Sequence, residues 1–251
     1  MQKRFKIIFI GVIAISIFIF LSGTVSAQIT AEEIMSRRDD NEYIQSARAV
    51  ATMIISQGNR KLEKKMVMFS KGETALLEFT NPADRGTKYL KREDNLWMSF
   101  PDAEEIVKIS GHMLDQGLMG SDFSYQDMME SDKLTELYDF EILREETFQD
   151  RPCYVLEGVK VSGKEASYYR RLTWIDKERF VGMKEELYAE SGRLLKVSKA
   201  EKIEQIESRW IPVNSVMENK LREGTFTRFI INEINLNPEL DENLFSLQRL
   251  R

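Results

Sequence analysis

The chain offers little of what side-chain chemistry usually requires. It contains one histidine, His112, and one cysteine, Cys153. A nucleophile of the Ser-His or Cys-His type needs a histidine beside it, and His112 has neither a Gly-x-Ser-x-Gly motif nor a cysteine with triad spacing. Zinc sites need several histidines and cysteines. Cys153 stands at an alternating apolar position, which is typical of a small buried hydrophobic residue. We therefore predict no catalytic residue, metal site or cofactor.

Paired carboxylates are the one catalytic pattern that the sequence leaves open. Adjacent acidic residues fall mostly at predicted turns or strand ends beside Lys or Arg, among them Glu32-Glu33, Asp39-Asp40, Glu104-Glu105, Glu145-Glu146 and Glu185-Glu186. A hydrolase that used two carboxylates would pair them in space, so a secreted hydrolase stays an alternative. The chain lacks a complete phosphate-binding loop, Gly-x-x-x-x-Gly-Lys followed by Ser or Thr. We predict that the protein is not an enzyme.

Large, soft apolar side chains are concentrated in one region instead. Methionine is unbranched and polarizable, so it adapts to irregular partners such as acyl chains. We predict a hydrophobic cavity or its lid at Trp97, Met98, Phe100, Met113, Leu114, Leu118, Met119, Phe123, Tyr125, Met128 and Met129. The alternative is that these residues only close one end of the core. Glycines within the segment would let a lid flex, and binding function often lies in such segments.

Consecutive strands must position this region. From Tyr43 onward the apolar spacing has a period of two, with β-branched and aromatic residues between turn signals. The predicted strands are 43–56, 60–69, 74–79, 87–91, 95–100, 105–109, 140–148, 153–161, 167–175, 181–189, 194–206, 210–219 and 225–234. Residues 110–131, rich in Gly and Met, interrupt this pattern and predict a helical or loop excursion packed on the sheet.

The fold class follows from this order of elements. We predict a mainly β protein with a few short helices, one of them starting at Thr30, where Thr and Glu three residues apart form a capping box. Twelve or so strands in meander order indicate one large curved antiparallel sheet, since a sheet of this size must curl. Its last strand, 225–234, carries apolar side chains on both faces, which indicates that helices or a ligand cover the second face.

The amino terminus predicts export. Lys3, Arg4 and Lys6 precede an apolar run at 7–21 and small residues ending at Ala27, the layout of a signal peptide spanning 1–27 and cleaved before Gln28. The alternative is a retained membrane anchor. The formal net charge is −5 and the first 27 residues hold only basic charge, so the mature chain, 28–251, is more acidic and has no electrostatic reason to bind nucleic acid. We expect one periplasmic, monomeric domain without a disulfide.

Three segments resemble the outer-membrane lipoprotein-sorting family, in its LolA-like branch. They are FTNPADRGTKYL at 79–90, NLWM at 95–98 followed by Phe100-Pro101, and GSDFSYQD at 120–127, which is the most specific of the three. The resemblance covers nearly all of the mature chain. It implies an unclosed β-barrel over helices, with a hydrophobic cavity for acyl chains and with no catalysis or cofactor. The resemblance also implies a positive group at the cavity edge, for which Arg85 is the candidate. The alternative, indicated by its neighbours Pro82 and Gly86, is that Arg85 only stabilises a turn.

Two functions follow from these expectations. The first is a periplasmic carrier for lipoprotein acyl chains or other lipid-like cargo, in outer-membrane lipoprotein sorting or an associated transport system, with an inner-membrane transporter as a second partner. The second is a non-enzymatic accessory or sensor subunit of an envelope transporter, which would use the same sheet to bind protein. Lipid that co-purifies with the protein would distinguish the first from the second.

Overall fold

The computed structural model describes residues 29–101, 105–130, 134–164 and 166–250. The predicted signal peptide and its cleavage site before Gln28 lie outside the described residues. Within the described part, no helix combines the length and the apolar character needed to cross a bilayer.

One antiparallel sheet of thirteen strands forms the body of the protein. Its strands are β1 (Ser46–Gln57), β2 (Arg60–Lys71), β3 (Thr74–Phe79), β4 (Lys88–Arg92), β5 (Asn95–Ser99), β6 (Val107–Ile109), β7 (Tyr138–Phe148), β8 (Arg151–Lys160), β9 (Arg170–Asp176), β10 (Gly182–Tyr188), β11 (Leu194–Ile206), β12 (Arg209–Asn219) and β13 (Thr225–Leu236). The predicted strands and the interruption after β6 are confirmed.

Each strand pairs with its neighbour in sequence, except that β6 and β7 end the order and β1 pairs with β13. The first six strands and the last seven therefore join in the middle of the sheet, and the sheet is not closed into a barrel. The predicted class, a large curved antiparallel sheet over helices, is confirmed.

Three α-helices accompany the sheet: α1 (Ala31–Glu42), α2 (Tyr125–Met129) and α3 (Leu134–Leu137). The hydroxyl of Thr30 accepts a hydrogen bond from the Glu33 backbone N–H at 3.1 Å, as expected for the predicted cap of α1. Ile34 and Met35 of α1 are fully buried and pack against Leu156 and α3. Burial of this apolar side attaches α1 to one half of the sheet.

The strand register defines the face of the sheet that the helices cover, which we call the inner face. On β1 it carries Ala49, Ala51 and Met53, which pair with Met68, Met66 and Lys64 of β2. Successive side chains of a strand alternate between faces, so the inner face continues through every second residue of the neighbouring strands. Residues 110–130, which we call the lid segment, cover the half formed by β1 to β5 and β13. Helices α1 and α3 cover the half formed by β7 to β12.

The carboxy-terminal segment covers the outer face. Two short 3-10 helices, Glu242–Phe245 and Leu247–Leu250, pack against β3 and β4. Phe245 and Leu250 are buried there against Leu76 and Leu90. The strands at this end of the sheet are therefore covered on both faces.

Candidate functional site: an apolar cavity under the lid segment

An apolar cavity of about 280 Å³ lies between the inner face and α2. Strands β1, β2, β3, β4 and β13 form most of its wall, and α2 contributes one methionine. The lining residues are Ala47, Ala49, Met68, Phe69, Ser70, Ala75, Leu76, Leu77, Tyr89, Lys91, Met128, Phe229, Ile231 and Ile234. Apolar side chains dominate this wall, so it suits a hydrocarbon group.

Alanines explain why the core is not filled at this point. Ala49 of β1 lies opposite Met68 of β2 and Ile234 of β13, and Ala75 of β3 lies opposite Ser70. Protein interiors are normally packed as densely as organic crystals. Short side chains at adjacent inner-face positions leave a space that larger residues would occupy.

Polar groups lie at one end of the cavity. Lys91 is 5% exposed, and its ammonium donates a hydrogen bond to the backbone oxygen of Met129 at 2.7 Å. Lys91 and Ser70 also line a second, larger space of about 610 Å³. We call this space the vestibule. Its other lining residues are Glu42, Tyr43, Ile44, Gly72, Glu73, Glu93, Asp94, Met129 and Glu136. The two spaces therefore border the same two residues, Lys91 and Ser70.

Asp122 fixes the middle of the lid segment to β13. Its carboxylate accepts hydrogen bonds from the hydroxyls of Thr227 at 2.7 Å and Thr225 at 3.2 Å, and its backbone N–H donates to Thr227 Oγ1 at 2.9 Å. Asp122 is 5% exposed, so these bonds replace the water that its carboxylate would otherwise bind. The Gly-Ser-Asp-Phe motif that carried the family resemblance thus includes an anchor of the lid segment.

A second anchor holds α2. Ser124 caps this helix through a reciprocal pair of hydrogen bonds with Asp127. The Asp127 carboxylate also accepts hydrogen bonds from Lys196 at 2.6 Å and from the Tyr168 hydroxyl at 2.5 Å. Burial, together with the charge of Asp127, raises the pKa of Tyr168 well above its usual range. Tyr168 is therefore a neutral donor that fixes α2 beside the cavity.

Gly117 shows how tightly the lid segment is folded. A side chain at this position would come within 2.1 Å of the backbone oxygen of Ser121, so only glycine fits. Gly120 has a φ of +81°, which glycine adopts without strain. These glycines provide the turns of a packed segment.

Most residues of the predicted lid come together in one apolar cluster. Leu118 and Tyr125 are buried, and the Tyr125 ring lies 5.6 Å from the ring of Tyr89. Partly buried against this cluster are Met98, Met113, Leu114, Met119, Phe123, Met128 and Met129. Among these predicted residues, Met128 reaches the cavity wall.

Trp97, Phe100 and Arg85 lie apart from this cluster. Trp97 pairs with Leu90 and packs on the outer face against the carboxy-terminal segment, because it alternates with Met98 along β5. Phe100 follows the end of β5 and is 43% exposed. Arg85 is exposed in the turn between β3 and β4, and the described cavity wall does not include it.

The turn that carries Arg85 is held by its neighbours. Asp84 accepts hydrogen bonds from Lys64 at 2.6 Å and from the Asn81 side chain at 2.5 Å. These bonds explain why the Asn-Pro-Ala-Asp run forms a fixed turn. The charged group that borders the cavity is Lys91 instead.

The residues on the sheet side of the cavity were not predicted from the sequence. The missed inner-face residues include Ala47, Ala49, Met68, Ala75, Leu77, Tyr89, Lys91, Phe229, Ile231 and Ile234. A signal was present in β1, where alanines occur at alternate positions 47, 49 and 51. A strand face of small residues in an otherwise large-residue sheet predicts a space above it.

The other half of the inner face contains buried charges. Arg171 of β9 is 3% exposed and lies 3.5 Å from a carboxylate oxygen of Glu130 and 3.6 Å from one of Glu185. Its guanidinium also lies 4.5 Å from the ring centre of Tyr138. Burial raises the pKa of the Tyr138 hydroxyl to about 12, so this group stays neutral.

Helix α1 adds to this charged half. Arg38 pairs with Asp39 at 3.0 Å and with Glu42 at 2.5 Å, and Asp39 accepts a hydrogen bond from the Thr135 hydroxyl at 2.9 Å. Removal from water raises the pKa of Glu42. The helix is therefore held on the sheet by ionic groups as well as by Ile34 and Met35.

Groups that could perform chemistry are placed unfavourably for it. Burial raises the pKa of the Cys153 thiol to about 11, which disfavours the reactive thiolate. His112 is exposed in a short 3-10 helix at the start of the lid segment. Within the described residues, no group of three or more His, Cys, Asp or Glu side chains is arranged to hold a metal ion.

The chain shares its unclosed antiparallel sheet with proteins of the LolA superfamily and with an outer membrane lipoprotein-sorting domain. A family model with the description "-like: Uncharacterized protein" matches residues 71–251. The chain belongs to this family. The comparison with curated proteins gave no match.

Solved structures agree with this assignment. A DUF1329 family protein from Desulfovibrio piger is 27% identical, with a TM-score of 0.81 over 88% of this chain and 97% of that one. An outer membrane lipoprotein-sorting protein domain from Vibrio parahaemolyticus is 25% identical, with a TM-score of 0.78 over 87% and 97%. A LolA superfamily protein from Nitrosomonas europaea is 25% identical, with a TM-score of 0.74 over 88% and 100%. The predicted family relationship is confirmed.

Proposed function

We propose that the protein is a non-enzymatic carrier that binds one acyl chain of a lipid-like or lipoprotein cargo in the apolar cavity. The observation that carries this proposal is the space of about 280 Å³ between Ala49, Met68, Phe229 and Met128, which the protein's own side chains leave open. We further propose that the chain acts in the periplasm after removal of residues 1–27. Its relatives support the choice of cargo, since one of them is named for outer membrane lipoprotein sorting.

The size of the cavity limits the cargo. An apolar cavity of roughly 150 Å³ binds benzene, so a space nearly twice that size suits one chain on the order of a dozen carbons. Each buried methylene contributes about 0.8 kcal/mol, and about ten of them contribute roughly 8 kcal/mol before the cost of association. A single chain therefore provides enough free energy for reversible binding, which a carrier requires.

Filling the cavity tests this proposal directly. We expect the Ala49→Phe substitution to lower the affinity for a fluorescent fatty acid by more than about tenfold, because the ring occupies the space of the chain. Val50→Phe is the matched control, since Val50 is the next residue of β1 and lies on the outer face, opposite Glu233 and Val67. Titration of both variants and of the parent protein measures the effect.

The co-purifying material tests the proposal independently. We expect organic extraction of the purified mature protein, or native mass spectrometry, to yield lipid from the parent protein and from Val50→Phe, and little from Ala49→Phe. Absence of lipid from all three, together with equal fatty acid affinities, would show that the cavity does not carry an acyl chain. The sheet would then be better explained as the protein-binding surface of an accessory or sensor subunit.

A further inference from the structure

The order of charges along the site points to the class of headgroup. We propose that the ligand is a single-chain zwitterionic amphiphile, with an anionic group next to its chain and a cationic group beyond it. A lysophospholipid with an ethanolamine headgroup has this arrangement. The inference rests on the proposed function, because it assumes that the chain occupies the apolar cavity.

Lys91 lies where the cavity and the vestibule border each other. Its side chain lies on the inner face, opposite Ala75 of β3 and Leu96 of β5, and borders both the cavity and the vestibule. A ligand whose chain fills the cavity and whose headgroup extends into the vestibule would pass beside this ammonium. A phosphate is favoured there, because lysine binds phosphate as a compact positive charge.

The vestibule beyond Lys91 is acidic. Among the described residues of its wall, five are acidic, namely Glu42, Glu73, Glu93, Asp94 and Glu136, and Lys91 is the one with a positive charge. The Glu42 carboxylate is already paired with Arg38, which leaves the other four to provide the negative charge. These acidic residues come from two hairpins and two helices, so they lie on several sides of the vestibule.

Helix α1 adds to the negative potential of the vestibule. It ends at Glu42, its last turn contains no basic residue, and its carboxyl end contributes Glu42 and Tyr43 to the wall. The carboxyl end of a helix carries a partial negative charge, which favours a nearby cation. An ammonium group in the vestibule would therefore be attracted from several sides.

Other headgroups match this order less well. A second negative or an uncharged polar group beyond the phosphate, as in a glycerol headgroup, leaves the ligand with a net negative charge against the four carboxylates of Glu73, Glu93, Asp94 and Glu136. A simple alkylamine would bring its ammonium against Lys91 before it reached the vestibule. Only a headgroup with both charges, in this order, complements both parts of the site.

Three ligands with the same acyl or alkyl chain test the proposal, each below its critical micelle concentration. They are lysophosphatidylethanolamine, lysophosphatidylglycerol and an alkyl maltoside, titrated into the parent protein at low ionic strength. We expect the ethanolamine lipid to bind about tenfold more tightly than the glycerol lipid, and we expect salt to reduce this preference because it screens the vestibule charges.

Variants locate the origin of the preference. We expect the double variant Glu73→Gln and Glu136→Gln to reduce it to about threefold or less. The matched control is Glu190→Gln with Glu223→Gln, two exposed acids in turns at the opposite end of the sheet, and it should keep the tenfold ratio. We expect Lys91→Met to weaken the binding of the ethanolamine lipid more than the binding of the maltoside.

The outcomes separate the two proposals. Equal affinities of the two phospholipids for the parent protein, or an unchanged preference in the vestibule double variant, would overturn the headgroup assignment and leave the carrier function standing. Failure of all three ligands to bind would overturn the carrier function itself.

Discussion

The two halves of the inner face are both covered by helical segments, yet they are built from different side chains. Beneath the lid segment, alanines, methionines and Phe229 surround an open apolar space. Beneath α1, Arg171 is buried among carboxylates, and α1 itself contributes Arg38, which pairs with Asp39 and Glu42. One half of the same sheet has room for a ligand, and the other is occupied by the protein's own charges.

This difference separates stability from binding. A buried charge is costly once its partner is removed, so the charged half tolerates little change. An open apolar space leaves its lining without some packing contacts, which the proposed acyl chain would supply. The comparison indicates that substitutions in the charged half act mainly on folding, while those in the apolar half act mainly on affinity.

Removal of the central charge should give the largest effect. We expect Arg171→Met to lower the free energy of unfolding by about 3 kcal/mol, because Glu130 and Glu185 lose their buried partner. Denaturant unfolding followed by tryptophan fluorescence measures it. Arg193→Met, in the exposed turn between β10 and β11, is the control and should change stability by less than about 0.5 kcal/mol. A similar small change in both variants would remove the basis for calling this half structural.

The lid anchor should give an intermediate effect. We expect Asp122→Ala to cost about 2 kcal/mol, since the hydroxyls of Thr227 and Thr225 lose the buried carboxylate that accepts their hydrogen bonds. In this variant, amide hydrogen exchange should accelerate in residues 117–124 and should accelerate less in β7 to β12. The exposed Asp115 lies in the same segment, so Asp115→Ala is the control. Exchange that accelerates equally in both halves would show that the lid segment does not open separately.

Acid should produce the smallest of the three losses of stability. We expect this loss to come from a carboxylate at the end of the charged half. Desolvation of the buried Asp176 carboxylate is outweighed by hydrogen bonds from Arg151 and from the backbone N–H groups of Glu178 and Arg179, so its pKa lies below its ordinary value of 3.8. A depressed carboxyl pKa contributes stability above the unfolded value and loses it as the pH falls through the folded value.

Unfolding measured across this acid range tests the assignment. We expect the parent protein to lose stability as the pH falls below about 4. Asp176→Asn should be less stable than the parent at neutral pH and show a shallower loss in acid. If the variant follows the parent's acid dependence throughout, another carboxylate is responsible.

The sequence predicted the strands well because strand formation here depends on local alternation. Residues 225–234, for example, are rich in β-branched and aromatic residues and form most of β13. The interruption at residues 110–131 was equally visible, since a run of Gly and Met without alternation cannot continue a sheet. The apolar cluster of the lid segment could also be predicted, because its methionines and other large apolar residues lie close together in the chain.

The cavity itself could not be located in this way. Ala49 and Ala75 belong to different strands, and they border one space only because β1, β2 and β3 pair in a particular register. The roles of Trp97 and Lys91 depend on the same register, which sends one to the outer face and the other to the boundary between the cavity and the vestibule.

The sequence by itself determined the class of fold, the number of strands within one or two, the position of the lid segment and the family resemblance. Each of these depends on residues close together in the chain. The tertiary structure alone decided which residues face the cavity, that Asp122 anchors the lid segment to β13, and that Arg171 meets Glu130 and Glu185. These contacts join residues far apart in sequence, and their geometry is set by strand register and by the packing of helices on the sheet.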